Sequence, residues 1–567
     1  QCKSFRSINF TLSSPDPVMK LKARPLFSRS TLLQGTHLAT AILFVMGGVA
    51  NAVVRNWDGQ GANGNWNTVK NWGNGVNRGV PVSGQDSIVF GGTANTAANN
   101  DIVGLSLLGI TFDNTAGAFT LSGNAITLAS GGITNSSGSN QTISLTSITL
   151  GSAQTFDAGA VTGGALTMSS NITNGGFGLT WTGTNNSTYS GILSGTGGLT
   201  KTGSGILTLS GANTYSGATL VSAGTLTLGS SDRLANTTAV TIAGGSLNTG
   251  TALTDTVASF AMSSGSLLGT GTITAATYAL SGGTVTGNLG AGTTTVTTGT
   301  TTLNGTSAST TVNVNSGTLT LGASDRLADA AAVTVAGGSL STGTALTDTV
   351  GSFTMTSGSL LGTGTLTAAT YALQGGTLTG NIGLGTATVT TGATTLNGTA
   401  AAATVNVNSG TLTLGAADRL ANGATVTVGG GILNTATFSD TVGTFNMSSG
   451  SLNGSGTITA ATYGLSGGTL NGNIGLGTAN VTTGTTTLNG TSGASAVNVN
   501  SGSLALGAND RLANGATVTV AGGTLDTVTY NDTVGTFNMS SGSLNGTGTI
   551  TAGTYGLSGG AVNAKLG

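Results

Sequence analysis

The residues of this chain with the most evident chemical potential form a short motif, Asp-Arg-Leu, that recurs at a long and regular interval. The arginines of its four copies are Arg233, Arg326, Arg419 and Arg511. Charged groups repeated along one column suit weak, multivalent contact with a polymer or a surface, so these arginines are candidate binding residues. The motif also fits a solvated corner, in which aspartate caps a turn and arginine covers aliphatic surface.

A second set of aspartates follows the motif, each 22 or 23 residues after the aspartate of the motif. Its members are Asp255, Asp348, Asp440 and Asp532. A hydrolase needs one unique cluster of carboxylates, so four equivalent copies favour a structural role. The sequence therefore predicts no catalytic residues and no enzymatic activity.

Three tryptophans, Trp57, Trp66 and Trp72, form an aromatic cluster early in the chain. Aromatic rings can stack on sugars, which makes these residues candidates for weak glycan binding. They are equally suited to cover the open end of a hydrophobic core and so prevent end-to-end growth. We favour the second interpretation and assign residues 53–100 as a Trp-containing cap.

The composition excludes many kinds of active site. The chain contains no glutamate, and its one histidine and one cysteine, His37 and Cys2, precede Val53. From Val53 onward the side chains required for several kinds of site are therefore missing. These sites are Ser-His-Asp and Cys-His catalytic sites, His- or Cys-ligated zinc sites and the glutamate pairs of glycoside hydrolases. From Val53 onward nine basic residues stand against fifteen aspartates, a net charge of −6, which gives nucleic-acid binding no electrostatic basis. The aspartates are too sparse for a calcium β-roll, so we expect no metal and no cofactor.

An export signal is predicted upstream of the repetitive part. Residues 19–52 combine a basic start, a short apolar run and a small-residue end, as secretory signal peptides do. We expect cleavage between Ala52 and Val53. A buried core helix is the alternative for the apolar run. Residues 1–18 precede Met19 and are interpreted as an upstream extension that is not native.

An internal repeat of about 93 residues decides the fold class. The segment GTLTLGSSDRLAN begins at Gly224 and returns with few changes at Gly317, Gly410 and Gly502. Inside each long repeat, a Gly-Ser/Thr-aliphatic marker recurs about five times. Between the markers, aliphatic residues alternate with Thr or Asn, as over 225–228, which is typical of strands with one buried face.

Short strands in coils of about 19 residues predict an all-β fold, a parallel β-helix (solenoid), with helix confined to the signal segment. One coil cannot bury its own aliphatic side chains, whereas stacked coils share a continuous narrow core. With about 4.8 Å per coil, roughly 25 coils would make a rod on the order of 120 Å long. We assign residues 224–567 to the part built of long repeats.

One stretch resembles a known repeat. The segment from Gly197 to Gly229 contains Lys201-Thr202-Gly203 and, further on, the run NTYSG that begins at Asn213. It resembles the autotransporter-associated β-strand repeat of bacterial passenger domains, so residues 101–223 are interpreted as a β-helix that carries this repeat. The resemblance implies a right-handed β-helix that is exported past the inner membrane and is then displayed on the outer cell surface or released.

Such passengers usually continue into an outer-membrane translocator barrel, which this sequence does not contain. The chain stops inside a long repeat at Gly567, so we expect a C-terminal truncation and a translocator as a partner.

The predicted function is therefore an exported, non-catalytic structural or adhesive passenger that forms an extended rod at the cell surface or outside the cell. Glycans or other cell surfaces are the expected partners, and nucleic acid is not. The alternative is a polysaccharide-binding or polysaccharide-degrading β-helix protein, because enzymes on this scaffold use clustered aspartates beside basic residues. Residues 101–200 contain Asp101, Asp113 and Asp157 but no basic residue, which disfavours that alternative.

Overall fold

The computed structural model describes residues 52–73, 78–159, 161 and 163–567. The predicted upstream extension (1–18) and the predicted signal peptide as far as residue 51 lie outside the described residues. Ala52 is exposed, and the first strand begins at Val53. Among the described residues, no helical segment has the length and apolar character that a bilayer-spanning helix needs.

The described residues form 54 β-strands and one 3₁₀ helix, Val69–Asn71. The strands pair in parallel, coil upon coil, in a β-solenoid of about 25 turns with about 19 residues in each. Leu226 pairs with Leu247, which pairs with Leu267, at steps of 21 and 20 residues. The predicted all-β parallel β-helix and its coil length are confirmed.

The strands are short before residue 224 and include longer, bent strands after it. In the N-terminal segment they are Val53–Trp57, Asp86–Phe90 and Ala97–Asn100. Between residues 101 and 223 they are Leu105–Leu107, Ile110–Phe112, Thr120–Gly123, Ile126–Leu128, Ile133–Asn135, Gln141–Leu145, Ser147–Leu150, Gln154–Asp157, Leu166–Met168, Asn171–Thr173, Leu179–Thr182, Ser187–Tyr189, Leu193–Ser194, Leu199–Lys201, Ile206–Leu209 and Thr219–Val221.

The long repeats have closely similar sets of strands. The first contains Thr225–Leu228, Ala239–Asn248, Thr254–Val257, Ser259–Leu268, Thr272–Ala275, Thr277–Leu280, Gly283–Val285, Asn288–Leu289, Thr293–Val296, Thr300–Leu303 and Thr311–Val314. The second contains Thr318–Leu321, Ala332–Ser341, Thr347–Leu361, Thr365–Leu373, Gly376–Leu378, Asn381–Ile382, Thr386–Val389, Ala393–Leu396 and Thr404–Val407. The third contains Thr411–Leu414, Thr425–Asn434, Asp440–Asn453, Thr457–Leu465, Gly468–Leu470, Asn473–Ile474, Thr478–Val481, Thr485–Leu488 and Ala496–Val499. The last contains Ser503–Leu506, Thr517–Asp526, Asp532–Asn545, Thr549–Leu557, Ala561–Val562 and Lys565–Leu566.

Alternation along each strand builds the core. In Thr225–Leu228 the two leucines are buried and the two threonines are half-buried. Leu226, Leu247 and Leu267 therefore stack on one another inside successive coils. Each buried leucine side chain contributes about 1.5–3 kcal/mol relative to an exposed one. β-branched threonine suits the outer face because it fits a pleated surface.

Bends inside the long strands require glycine. Gly265 has φ 83°, and a Cβ added to it would lie 2.0 Å from the carbonyl oxygen of Gly245 in the preceding coil. The equivalent glycines Gly358, Gly450 and Gly542 have φ of 87°, 76° and 83°. Only glycine fits this position, because the backbone has a positive φ and the preceding coil leaves no room for a Cβ.

Candidate functional site

The Asp-Arg-Leu motif forms a corner that the fold repeats once in every long repeat. Its aspartate, Asp232 in the first copy, has φ 55° and an exposed side chain. Asp325, Asp418 and Asp510 adopt the same left-handed conformation, with φ of 55°, 55° and 52°. Aspartate tolerates this region better than most residues because its short side chain can bond locally.

The arginine of each corner ties one coil to the coil before it. Arg233 donates from Nε to the carbonyl oxygen of Ser231 at 2.8 Å and from Nη1 to that of Ser210 at 2.6 Å. Arg326, Arg419 and Arg511 make equivalent pairs of bonds, with Nη1 reaching Asn304, Asn397 and Asn489. All four side chains remain partly exposed. The guanidinium groups thus have a structural role, although the four arginines are only partly buried.

A buried carboxylate lies beneath each corner. Asp255 is 1% exposed, and its Oδ2 accepts the backbone N–H of Arg233 at 2.7 Å and that of Leu234 at 3.0 Å. Asp348, Asp440 and Asp532 bond the equivalent amides in their own repeats. The second aspartate set therefore satisfies two N–H groups that the tight turn leaves without a carbonyl partner.

The other oxygen of each buried carboxylate has no partner. Oδ1 of Asp255 is buried without a hydrogen bond, as is Oδ1 of Asp348, Asp440 and Asp532. Burial raises the pKa of Asp255 to about 6, although the N–H bonds from Leu234 and Arg233 oppose this shift. The pKa of Asp348 is raised to about 6 for the same reason, and those of Asp440 and Asp532 are also raised by burial.

The three tryptophans lie inside the N-terminal segment rather than on its surface. Trp57 is 2% exposed, and Trp66 and Trp72 are fully buried. Trp57 and Trp72 meet edge to face with ring centroids 5.0 Å apart, and all three rings pack against Phe90. Trp72 donates from Nε1 to the carbonyl oxygen of Trp66 at 2.6 Å. The rings are thus covered by protein, and their faces are not presented to solvent.

A buried lysine precedes the first long repeat. Lys201 is 2% exposed and ends the strand Leu199–Lys201, where it pairs with Trp181 on one side and Val221 on the other. Its Nζ donates to the carbonyl oxygens of Thr202 at 2.5 Å and Gly203 at 2.9 Å, and more weakly to that of Ala223. Burial lowers the pKa of Lys201 to about 8. The ammonium group thus stabilises the turn after this strand through hydrogen bonds to its backbone carbonyl oxygens.

The same stretch matches a known family model. Residues 199–228 match the passenger-associated-transport-repeat. With its β-solenoid, the chain fits an autotransporter passenger-type repeat protein. No curated protein and no solved structure matches the chain. The predicted resemblance is confirmed over these residues.

Other side chains of the passenger repeat also fix one coil against another. Asn213 accepts the N–H of Leu193 at 2.9 Å through Oδ1 and donates from Nδ2 to the carbonyl oxygen of Arg233 at 2.7 Å. It therefore bridges the coil before it and the first Asp-Arg-Leu corner after it. Tyr215 is fully buried, with its hydroxyl 2.5 Å from Oγ1 of Thr219. In this structure the polar residues of the passenger repeat bond to the solenoid itself.

The aspartates of residues 101–200 bond separate backbone N–H groups: Asp113 and Asp157 cap local turns, and Asp101 bonds the N-terminal segment. Asp113 accepts the N–H and the hydroxyl of Thr115 through Oδ1, at 2.8 and 2.7 Å. Asp157 accepts the N–H of Gly159 at 2.8 Å, and Asp101 that of Asn67 at 2.7 Å. Within the described ranges, no three histidine, cysteine, aspartate or glutamate residues are grouped closely enough to hold a metal ion.

Proposed function

We propose that this chain is an exported structural or adhesive passenger, without catalytic activity, that forms an extended rod at the outer cell surface or in the medium. The passenger repeat and the β-solenoid support the passenger part of the proposal. The structural or adhesive part of the proposal rests on one observation, the recurrence of the same corner in four long repeats. Each corner has an exposed aspartate and a partly exposed arginine. A regular column of this kind suits many weak contacts better than one specific reaction.

The spacing of the corners supports multivalent contact. Successive corners are five coils apart, which corresponds to roughly 24 Å along the stack. An extended polymer such as a cell-surface glycan could meet several corners at once, since each contact raises the effective concentration of the next. The same spacing is too wide for two arginines to act together on one bond of a substrate.

The outer face of the solenoid supports a role as a scaffold. Asn471 donates from Nδ2 to Oδ1 of Asn453 at 2.8 Å, and Asn489 donates in the same way to Asn471 at 2.7 Å. Asn498 bonds Asn480 at 2.9 Å in another column. These side-chain ladders join neighbouring coils without charge, so they are less sensitive to salt than ion pairs are. A rod held in this way suits the variable conditions outside a cell.

The arrangement of the carboxylates supports a non-catalytic role. Glycoside hydrolysis in most families needs two carboxyl groups facing each other across the scissile bond. Asp113 and Asp157 each cap a turn of their own, and Asp101 accepts the N–H of Asn67 in the N-terminal segment. A shallow surface groove in this region is lined by Val103, Asn124 and other uncharged residues.

The proposal is tested with purified residues 53–567 on intact bacterial cells and on immobilised polysaccharides. We expect binding that weakens by roughly 100-fold when all four corner arginines are changed to glutamine, because multivalent gains are lost together. A single Arg419→Gln change should have little effect. The matched control, Lys70→Gln with Lys565→Gln, removes exposed charges outside the column and should leave binding unchanged.

Two results would contradict the proposal. Wild-type binding by the variant with four glutamines, in a protein whose circular dichroism is unchanged, would exclude the arginine column as the adhesive surface. Release of reducing sugar from bacterial or plant polysaccharides by the wild-type rod would favour the polysaccharide-degrading alternative. Export is tested separately by fusing residues 19–52 to a reporter that is active only outside the cytoplasm.

A further inference from the structure

Two Asn-Gly pairs lie in turns directly after Asp-Arg-Leu corners. Asn422-Gly423 and Asn514-Gly515 occupy the two central positions of these turns, and all four residues are exposed. The first turn is closed by a bond from the N–H of Ala424 to the carbonyl oxygen of Ala421 at 2.8 Å. The second is closed in the same way, also at 2.8 Å. Both pairs therefore lie outside the hydrogen-bonded strands.

The groups that could react with each other in these pairs are unconstrained. In the part of the chain that the structure describes, no acceptor bonds the N–H of Gly423 or Gly515, and no side-chain bond holds Asn422 or Asn514. A Cβ placed on either glycine would meet no atom within 4 Å. The asparagine side chain and the following amide nitrogen thus have room to approach each other.

Other Asn-Gly pairs of the solenoid lack this freedom. The amide of Gly398, after Asn397, donates to the carbonyl oxygen of Leu378 in the preceding coil at 2.9 Å. Equivalent bonds hold the amides of three further glycines that follow asparagine, namely Gly305 to Val285, Gly472 to Leu452 and Gly490 to Leu470. The asparagines of these four pairs are exposed too, so exposure alone does not separate the two groups.

In three further Asn-Gly pairs, a hydrogen bond holds the asparagine side chain itself. Oδ1 of Asn453 accepts a bond from Nδ2 of Asn471 at 2.8 Å, and Oδ1 of Asn545 accepts one from Asn563 at 2.9 Å. Oδ1 of Asn63 accepts the N–H of Asn65 at 3.1 Å. Asn174 is fully buried. Asn74-Gly75 lies outside the described residues.

We propose that Asn422 and Asn514 are modification sites, at which the side-chain amide is lost by spontaneous reaction with water. The amide nitrogen of the following glycine loses its proton and attacks Cγ of the asparagine. A new C–N bond forms, the bond from Cγ to the side-chain nitrogen breaks, and ammonia leaves with the proton. Water then opens the resulting five-membered imide at either carbonyl and leaves aspartate or isoaspartate. No oxidation or reduction takes place.

The repeat itself indicates that the fold tolerates aspartate, one of the two products. The position equivalent to Asn422 in the second long repeat is Asp329, followed by Ala330 rather than glycine. A carboxylate at this turn is therefore already part of the sequence. Each reaction adds one negative charge three residues after the corner arginine, Arg419 or Arg511. The modification would thus change the charge beside the proposed adhesive column without breaking a strand.

The test is timed peptide mapping by mass spectrometry after incubation of folded residues 53–567 at mildly alkaline pH. We expect loss of the amide at Asn422 and Asn514 to be at least about tenfold faster than at Asn397 and Asn489. That ratio corresponds to an opening cost of about 1.4 kcal/mol for the bonded amides. Unfolding the protein in denaturant should bring the four rates together.

Matched variants separate chemistry from fold. Gly423→Ala copies the alanine found at residue 330, meets no neighbouring atom and should slow the reaction at Asn422 while leaving Asn514 unchanged. Equal rates at all four asparagines in the folded protein would overturn the proposal, as would faster loss at Asn397 or Asn489. An unchanged rate at Asn422 in Gly423→Ala would also overturn it, because a methyl group on residue 423 should hinder the attack of its backbone nitrogen on Cγ.

Discussion

Asp255 lies beneath Arg233 and binds the backbone N–H of that arginine at 2.7 Å through Oδ2, while its Oδ1 is buried without a partner. The same relationship recurs in the three later long repeats. One oxygen thus stabilises the corner, and the other makes ionisation of the carboxyl group unfavourable because the buried charge is not fully solvated. The stability of the corner therefore depends on whether the buried carboxyl group is protonated.

This link predicts that acidification stabilises the solenoid. The pKa values of Asp255 and Asp348 are about 6 in the folded protein, against 3.8 for an unshifted group. The folded state therefore binds more protons than the unfolded state between these values. The contribution of each carboxyl group to stability is fully present below pH 3.8 and is lost as the pH rises through about 6. We expect a higher thermal midpoint at pH 5 than at pH 7, with each of these two groups contributing on the order of 1 kcal/mol over this interval.

Asparagine variants are the matched control for this pH effect. Asp255→Asn, Asp348→Asn, Asp440→Asn and Asp532→Asn in one protein keep an oxygen for the two N–H bonds but cannot ionise. The combined variant should show a thermal midpoint that changes much less between pH 7 and pH 5. A wild-type midpoint that stays constant or falls on acidification would show that these carboxyl groups do not control stability in this range.

A buried polar pair predicts strong coupling between two positions. Oγ1 of Thr294 and Oγ of Ser309 are 2.8 Å apart in the core of the first long repeat. The second and third long repeats have alanine at both equivalent positions, Ala387 with Ala402 and Ala479 with Ala494. Removing one partner leaves a buried hydroxyl unsatisfied, whereas removing both does not.

We therefore expect Thr294→Ala to destabilise the first long repeat by about 1–2 kcal/mol, and addition of Ser309→Ala to recover most of that loss. Because repeat proteins open locally, the measurement is hydrogen exchange at the amides of Thr311–Val314, compared among the wild type, both single variants and the double variant. Additive effects of the two changes would rule out the coupling.

The sequence predicts the scaffold well because the scaffold depends on periodic features. Alternation over Thr225–Leu228, repeated at steps near 19 residues, is sufficient to predict parallel stacking and the identity of the inward leucines. Both faces of a strand are encoded in the order of residues, so no distant contact has to be known.

The two aspartate sets show where this reasoning stops. Asp232 and Asp255 both lie in stretches rich in serine and threonine, yet Asp232 is exposed and Asp255 is buried. A signal was present, since Asp255 has the same strand phase as the buried Val257. Lys201 likewise shares its phase with Leu199. What the sequence does not reveal is the partner, because the bonded amides of Arg233 and Leu234 belong to the preceding coil.

The burial of Lys201 predicts selective protection from chemical labelling. Lys70 and Lys565 are exposed, whereas the ammonium group of Lys201 is covered and bonded to backbone carbonyl oxygens. An amine-reactive reagent should label Lys70 and Lys565 rapidly in the folded protein and leave Lys201 largely unmodified. Peptide mapping measures the three yields, and labelling in denaturant is the control, where the yields should become similar. Rapid labelling of Lys201 in the folded state would contradict its placement.

The tryptophan cluster predicts that the N-terminal segment protects the end of the core. Trp57, Trp66 and Trp72 pack over Phe90, which in turn lies 5.4 Å from Phe112 between ring centroids. Deleting residues 53–100 would expose Phe112 and the free edges of the first remaining strands, which can pair with another molecule. We expect the shortened protein to aggregate, as measured by light scattering over time.

A milder change distinguishes capping from a general loss of folding. Trp72→Ala removes two edge-to-face contacts and should loosen the cap while the later coils stay intact. Tryptophan fluorescence should become easier to quench with acrylamide, and aggregation should begin faster than in the wild type but slower than in the deletion. The circular dichroism of the strands should stay close to that of the wild type. A soluble, monomeric deletion protein would show that the core end needs no cover, and the three tryptophans would then require another role.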